Sequence, residues 1–279
     1  LGRGAAGSVY RARDIRTGAE CALKLLHKSD SESADYARFL REAILASELF
    51  HLHIVEVREF GHDAQGTPYL VMELLRGPTL YDVLKRQGRL PLGYALELLR
   101  QIGSAIHTAH IAGIVHRDIK PQNVVLHRVE SEGRITEIAK VVDFGIAKNI
   151  GAPTAESASN LILGTWEYIA PEATWGVRDA VDARADQFSL AVVAYRMLSG
   201  RLPFQSQSGD PIEILRKVRN LHPPTLDYLV PELPARVVDA VHRALSKRRE
   251  DRFETTQDFV RALCGLAPKK GVVRAASSD

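Results

Sequence analysis

The hydrophobic period of this chain changes once, near Leu75–Gly77, and no other feature constrains its fold as much. Before that point apolar residues alternate in short runs. Ser8–Ala12 and Ala19–Leu26 flank the turn Arg16-Thr17-Gly18, and Ile54–Phe60 and Tyr69–Leu74 are joined by Asp63–Pro68. Such runs, bounded by Gly, Pro and Asp, predict strands. One helix is expected among them over Ser33–Phe50, with Phe39, Ala43, Ala46 and Phe50 on one stripe. After the Gly77-Pro78 break the pattern turns helical: Thr79–Gln87, Gly93–Ala112, a strongly apolar helix within Val177–Ser199, then Pro211–Asn220, Pro234–Ser246 and Thr255–Leu263. Val124–Phe144 alone interrupts, as a hairpin whose polar turn at Arg128–Thr136 is longer than a hairpin needs. A strand-rich part followed by a larger helical part predicts an α+β fold.

Composition removes several alternatives. The 279 residues carry 37 Lys plus Arg against 34 Asp plus Glu, a net charge of +3, too weak a balance to predict nucleic acid binding. With 45% hydrophobic and 25% charged residues, the chain is globular in composition. Cys21 and Cys264 alone cannot form a disulfide framework or a four-ligand zinc site, and two reduced thiols are expected. No stretch reaches the ~18 apolar residues of a membrane span. The best candidate, Phe188–Leu198, is shorter and contains Arg196. No secretory leader is visible, and Leu1 opens directly onto glycines, so a domain cut from a longer protein is expected.

Three segments carry chemistry. In Gly2-Arg3-Gly4-Ala5-Ala6-Gly7-Ser8-Val9-Tyr10, the glycines let a backbone turn tightly and bring N–H groups against phosphate oxygens. The pattern alone is equally compatible with a plain turn between strands. Because Ser8-Val9-Tyr10 reads as a strand, the context favours a hairpin over nucleotide phosphates. Seventeen residues after Gly7, Cys21-Ala22-Leu23-Lys24 places a lysine in an apolar strand, where it needs a partner or an exit to solvent. Glu42 is its candidate partner. In His116-Arg117-Asp118-Ile119-Lys120-Pro121-Gln122-Asn123, Asp118 can accept the proton of an attacking hydroxyl, Lys120 can neutralise a phosphoryl group and Asn123 can hold a metal. Twenty residues on, Val141-Val142-Asp143-Phe144-Gly145 sets a carboxylate at a strand end, a Mg²⁺ ligand position.

With Ala170-Pro171-Glu172 added, these motifs in this order resemble the eukaryotic-like (Hanks-type) serine/threonine protein kinases, closest to the bacterial members, over about Leu1 to Leu263. The resemblance implies a two-lobed fold: residues 1–75 as a strand-rich lobe with one main helix and a truncated first strand, 76–267 as a helical lobe, and 268–279 as a linker tail. It implies ATP and Mg²⁺ as cofactors. Lys24 would contact the α- and β-phosphates and pair with Glu42, under the loop of Gly2, Gly4 and Gly7. Asp118 would be the base, Lys120 the γ-phosphate contact, and Asn123 and Asp143 the metal ligands. Val9, Ala22 and Val125 would sandwich the purine, with Met72 at the back and the backbones of Glu73 and Leu75 bonding it. Asp186 would hold the catalytic loop, and Arg252 would pair with Glu172. Lys120 two positions after Asp118 is the serine/threonine pattern, and Thr165 would bond both.

The resemblance also implies a switch. Arg38, Arg117 and Lys148 would form a pocket for a phosphate on Ser157 or Ser159 of the activation loop, added by the enzyme itself in trans. Expected partners are therefore protein substrates, a second copy of the chain among them, with no nucleic acid or membrane contact in this stretch. The expected location is the cytoplasm, with any membrane anchor of a parent protein outside this stretch. Two rivals stay open: a catalytically silent binding scaffold, and a small-molecule phosphotransferase. The pairs His51/His53 and His107/His110 have metal-compatible spacing but no converging acidic or cysteine ligands, and His116 is expected to pack beneath the catalytic loop.

Overall fold

The computed structural model of the chain describes residues 1–4, 7–26, 47–131, 133–144, 166–175, 181–206 and 208–267. Arg38, Glu42, Lys148, Ser157, Ser159 and Thr165, most of the helix expected over 33–50, and the tail all lie outside the described residues.

Five strands form one antiparallel sheet in the order β1-β2-β3-β5-β4: β1 Gly2–Gly4, β2 Gly7–Arg13, β3 Glu20–Leu26, β4 Val57–His62 and β5 Pro68–Glu73. The β2–β3 turn closes through Asp14, whose carbonyl accepts the Gly18 N–H while its carboxylate accepts the Arg16 N–H. Alternation buries Ala22, Lys24 and Leu26 on one face of β3, and Cys21 is buried on the other.

Two boundaries differ from the sequence expectation. The apolar stripe was expected to run to Phe50, but helical structure ends at Ser47 and Phe50 is 81% exposed. The strand expected from Ile54 begins at Val57 instead. Ile54 bridges Val141 in parallel, and the Val55 N–H donates to the Val141 carbonyl at 3.0 Å. Ile54 and Val55 are buried by this docking onto the other half of the molecule, and tertiary burial overrides their strand propensity.

The hairpin comprises β6 Val124–Ser131 and β7 Arg134–Val141. Its ladder runs out to Ser131 opposite Arg134, so Arg128–Ser131 and Arg134–Thr136, read as parts of a long polar turn, are paired strand. Arg128 and Glu137 face each other there at 3.2 Å, and Gly133, at φ 73°, supplies the tight reversal. Exposed strand carries polar side chains, which is why this stretch resembled a loop in sequence.

Among the described residues seven helices follow the sheet: α1 Leu80–Gln87, α2 Leu92–Ile111, α3 Ala183–Ser199, α4 Pro211–Asn220, α5 Leu226–Leu229, α6 Ala235–Ala244 and α7 Thr256–Leu263. Thr79 and Asp82 form a reciprocal capping box at α1. Asp182 caps α3 through the Arg184 N–H, and Gly200 ends it at φ 74°. Helix α3 is apolar nearly all round because it is central: Phe188 and Leu190–Met197 apart from Arg196 are buried. Among the described residues no helix is long and apolar enough to cross a membrane.

The two halves meet at Gly77. Its φ is 153°, and a Cβ there would lie 1.8 Å from the Leu126 carbonyl oxygen. Only glycine lets the linker approach β6 this closely, with Leu126 N–H bonded to the Pro78 carbonyl and Arg128 N–H to the Arg76 carbonyl.

Candidate active site

Strand β3 delivers Lys24 into the cleft between the halves. The residue is 5% exposed, and a buried ammonium requires a counter-charge. Its Nζ lies 2.5 Å from Asp143 Oδ1. The sequence named Glu42 as partner; among the described residues the partner is Asp143. That carboxylate follows β7 with its side chain 40% exposed, so one end is anchored and the group still faces the cleft.

Among the described residues two non-glycine residues have positive φ, Arg117 at 61° and Asp143 at 60°, and both belong to the site. Such backbone is sparsely populated and persists only where surroundings hold it. Asp186, from the first turn of α3, holds the first. Its Oδ2 accepts the His116 N–H and its Oδ1 the Arg117 N–H, each at 2.7 Å, and His110 Nε2 lies 2.8 Å from Oδ2.

His116 joins the two strained segments. Its Nδ1 accepts the Asp118 N–H at 3.2 Å, so Nε2 carries the proton and donates to the Val142 carbonyl at 3.0 Å. The ring packs on Phe144 with centroids 4.6 Å apart. Burial lowers the His116 pKa, against the opposing pull of Asp186 and Asp118, which agrees with the neutral tautomer that these bonds demand.

Asp118 then faces the cleft with two donors on Oδ2: Lys120 Nζ at 2.8 Å and Asn123 Nδ2 at 3.0 Å. Asn123 Nδ2 also donates to the Asp118 carbonyl at 2.8 Å. The short 3₁₀ turn Pro121–Asn123 sets this spacing. With its NH₂ committed to Asp118, the Asn123 amide turns its carbonyl oxygen elsewhere. The Val142 N–H donates to the Asn123 main-chain carbonyl at 3.0 Å, which brings Asn123 beside Asp143. An amide oxygen and a carboxylate form a hard-oxygen pair, and these residues fit Mg²⁺.

Above this polar floor lies an apolar cluster of Ala22, Val55 and Met72, with Val9, Leu74, Leu75 and Val142 packed against it. The expected purine contacts Val9, Ala22, Met72 and Leu75 are brought together. Val125 is not in this cluster; it lies on β6, bridged to Thr79. Val55 and Val142 were not foreseen, although Val142 directly precedes Asp143. Gly4 pairs with Gly7 where β1 turns into β2. Gly7 has a packing reason of its own: at φ 154°, a Cβ would sit 2.1 Å from the Leu25 carbonyl oxygen.

Behind the site Arg252 is 2% exposed and uses every guanidinium donor. It grips Glu172 through both terminal nitrogens at 2.7 and 2.8 Å, and donates to the carbonyls of Ser246, Arg184 and Lys247. The pair His51/His53 has structural partners: His51 Nε2 lies 3.1 Å from Ser104 Oγ and His53 Nδ1 3.0 Å from the Ala139 carbonyl. Cys21 and Cys264 are free thiols.

Similarity to known proteins agrees with this geometry. The family described as "Protein kinase domain" matches residues 1–270. The chain is 38% identical over 268 residues to serine/threonine-protein kinase pkn2 of Myxococcus xanthus, covering 94% of this chain and 31% of that protein. It is 35% identical to PknA of Mycobacterium tuberculosis, covering 95% of this chain and 59% of the relative. With PknF of the same organism it shares 36% identity, over 94% of this chain and 54% of the relative. The chain thus spans between about a third and three fifths of the length of these relatives. From Lys24 through Asp118 to Asp143, the motifs stand in the order and the cleft that this family requires, and the chain belongs to the protein kinase domain family.

Proposed function

We propose that this domain transfers the γ-phosphoryl group of ATP to serine and threonine hydroxyls of proteins. The observation that carries this reading is the convergence of two ion pairs, Lys24–Asp143 and Lys120–Asp118, with Asn123 bonded to the second. Asp118 orients the acceptor hydroxyl and takes its proton. Lys120 lies beside it to balance charge on the transferring phosphoryl, and Lys24 holds the α- and β-phosphates. Asn123 and Asp143 would hold Mg²⁺, which supplies charge neutralisation on the phosphate oxygens. Catalysis is then positioning and preorganised electrostatics on a rigid scaffold. The apolar cluster around Ala22 and Met72 accepts the purine, with the Glu73 and Leu75 main chain as its hydrogen-bonding edge.

Radiolabelled ATP and a generic protein substrate test the reading, with phosphoamino acid analysis of the product. Label on serine or threonine is expected. No transfer to any protein, or turnover only of a small metabolite, overturns it.

The finer reading is that phosphate on Ser157 or Ser159, added in trans, activates the enzyme through Arg38, Arg117 and Lys148. Its support is the Arg117 backbone, which Asp186 fixes next to Asp118. A phosphate bonded there would order the loop beside the catalytic base. Mass spectrometry of active protein is expected to find the modification, and dephosphorylation to lower the rate. Full activity after dephosphorylation refutes the switch.

A further inference from the structure

The β6–β7 hairpin carries a cation that none of the roles above uses. Val124, Leu126, Ala139 and Val141 are buried on one face of the hairpin. Lys140 and its cross-strand partner Val125 lie on the other, yet Lys140 is only 8% exposed. Its Nζ lies 2.5 Å from Glu73 Oε1 and donates to the Ile54 carbonyl at 3.2 Å. The same Oε1 accepts the Glu56 N–H at 2.9 Å, while the Glu73 N–H donates to the Glu56 carbonyl at 3.0 Å. Glu73 is the last residue of β5 and Glu56 precedes β4, so the carboxylate serves as the acceptor where the ladder stops.

Desolvating both charges offsets much of their attraction, so a pair this buried is weak evidence for stability. What it provides is a fixed geometry. Lys140 comes from the helical half, whereas Ile54, Glu56 and Glu73 all precede the Gly77 junction. One ammonium therefore ties two N-terminal segments, the stretch 54–56 before β4 and the end of β5, and the residue it immobilises begins the main-chain edge of the purine pocket.

We propose that Lys140 is a positioning residue for the purine: by pinning the Glu73 carboxylate, it fixes the direction of the 73–75 backbone that bonds the base. The inference rests on the ATP reading above. Because Lys140 acts through Glu73, its loss weakens the grip on the base and leaves the phosphoryl step in place.

The test compares wild type with Lys140→Met and Lys140→Arg. Steady-state rates are measured against ATP, binding of adenosine and of tripolyphosphate by calorimetry, and melting temperature alongside. In Lys140→Met, KM for ATP and Kd for adenosine both rise roughly ten- to a hundred-fold. Its kcat stays within about threefold, and tripolyphosphate binding is unchanged. Lys140→Arg recovers part of the adenosine affinity. A lower melting temperature with unchanged KM and adenosine Kd marks the pair as structural only and overturns the proposal. Equal weakening of adenosine and tripolyphosphate overturns it too. If Lys140→Met does not fold, Lys140→Gln carries the same expectations; if neither folds, unchanged adenosine affinity in Lys140→Arg against wild type overturns it. Wild type that neither binds adenosine nor transfers phosphate defeats the ATP reading itself, whereas an active wild type with unaltered Lys140→Met affinity defeats only the role of Lys140.

Discussion

Lys24 Nζ and Asp143 Oδ1 lie 2.5 Å apart across the cleft, although 119 residues separate them in sequence. The pair joins the strand-rich half to the segment after β7, so a phosphate chain entering the cleft meets both groups at once. Lys24 is buried while the Asp143 side chain that pairs with it stays 40% exposed, so the carboxylate neutralises the lysine and still faces the cleft.

Lys24→Met and Asp143→Asn are each expected to lower transfer on the order of 10²–10³-fold, because each removes one charge from the phosphate path. Both variants should keep wild-type circular dichroism. Measured kcat in a folded variant near that of wild type would contradict these assignments.

Asp186→Asn tests the support of the catalytic loop. The carboxylate accepts two main-chain N–H groups and faces His110 at 1% exposure, and an amide offers only one acceptor oxygen. A stability loss of about 1–3 kcal/mol is expected from the unsatisfied group. With the Arg117 turn no longer held, kcat should fall on the order of 10²-fold. Denaturant titration and steady-state kinetics check the two effects separately.

Arg252→Lys keeps the charge and loses the fork. Lysine has three donors and no planar bidentate geometry, so Glu172 and the surrounding carbonyls lose partners. A destabilisation of about 1–3 kcal/mol is expected from the acceptors left unsatisfied. An unchanged unfolding midpoint would show that the Glu172 contact is dispensable.

His242 sets a pH dependence of stability. Its Nε2 accepts the Leu226 N–H at 3.1 Å, standing in for the side-chain cap that α5 lacks. Burial lowers its pKa below 6.5, with Asp227 and Asp239 pulling upward and His222 adding to the decrease. Between the lowered value and 6.5 the unfolded chain binds more protons, so stability rises with pH in that window. The contribution is complete above 6.5 and is lost as pH falls. Urea titrations between roughly pH 5.5 and 7.5 should show stability declining as pH falls in wild type and a shallower decline in His242→Gln, where buried His116 still contributes. Parallel curves for the two proteins would refute the linkage.

Sequence by itself determined which groups could do chemistry and most of the elements that carry them. Periodicity is local, so α4 matched its expected bounds, Pro211–Asn220, and β3 and α7 came within a residue. Asp118, Lys120 and Asn123 were legible because six consecutive residues contain all three, and a 3₁₀ turn suffices to gather them. The limits of the strands were less legible. Ile54 has the composition of a sheet residue, but its burial against Val141 is decided by a segment far along the chain. The hairpin tip resembled a loop because solvent-facing strand and loop share polar residues. Tertiary structure alone decided the partner of Lys140, the pairing of Lys24 with Asp143 and the positive φ of Arg117 and Asp143. Each depends on groups tens of residues apart meeting at hydrogen-bond distance, and the cost of a buried charge or a strained turn says only that a partner must exist, while the packed fold decides which one it is.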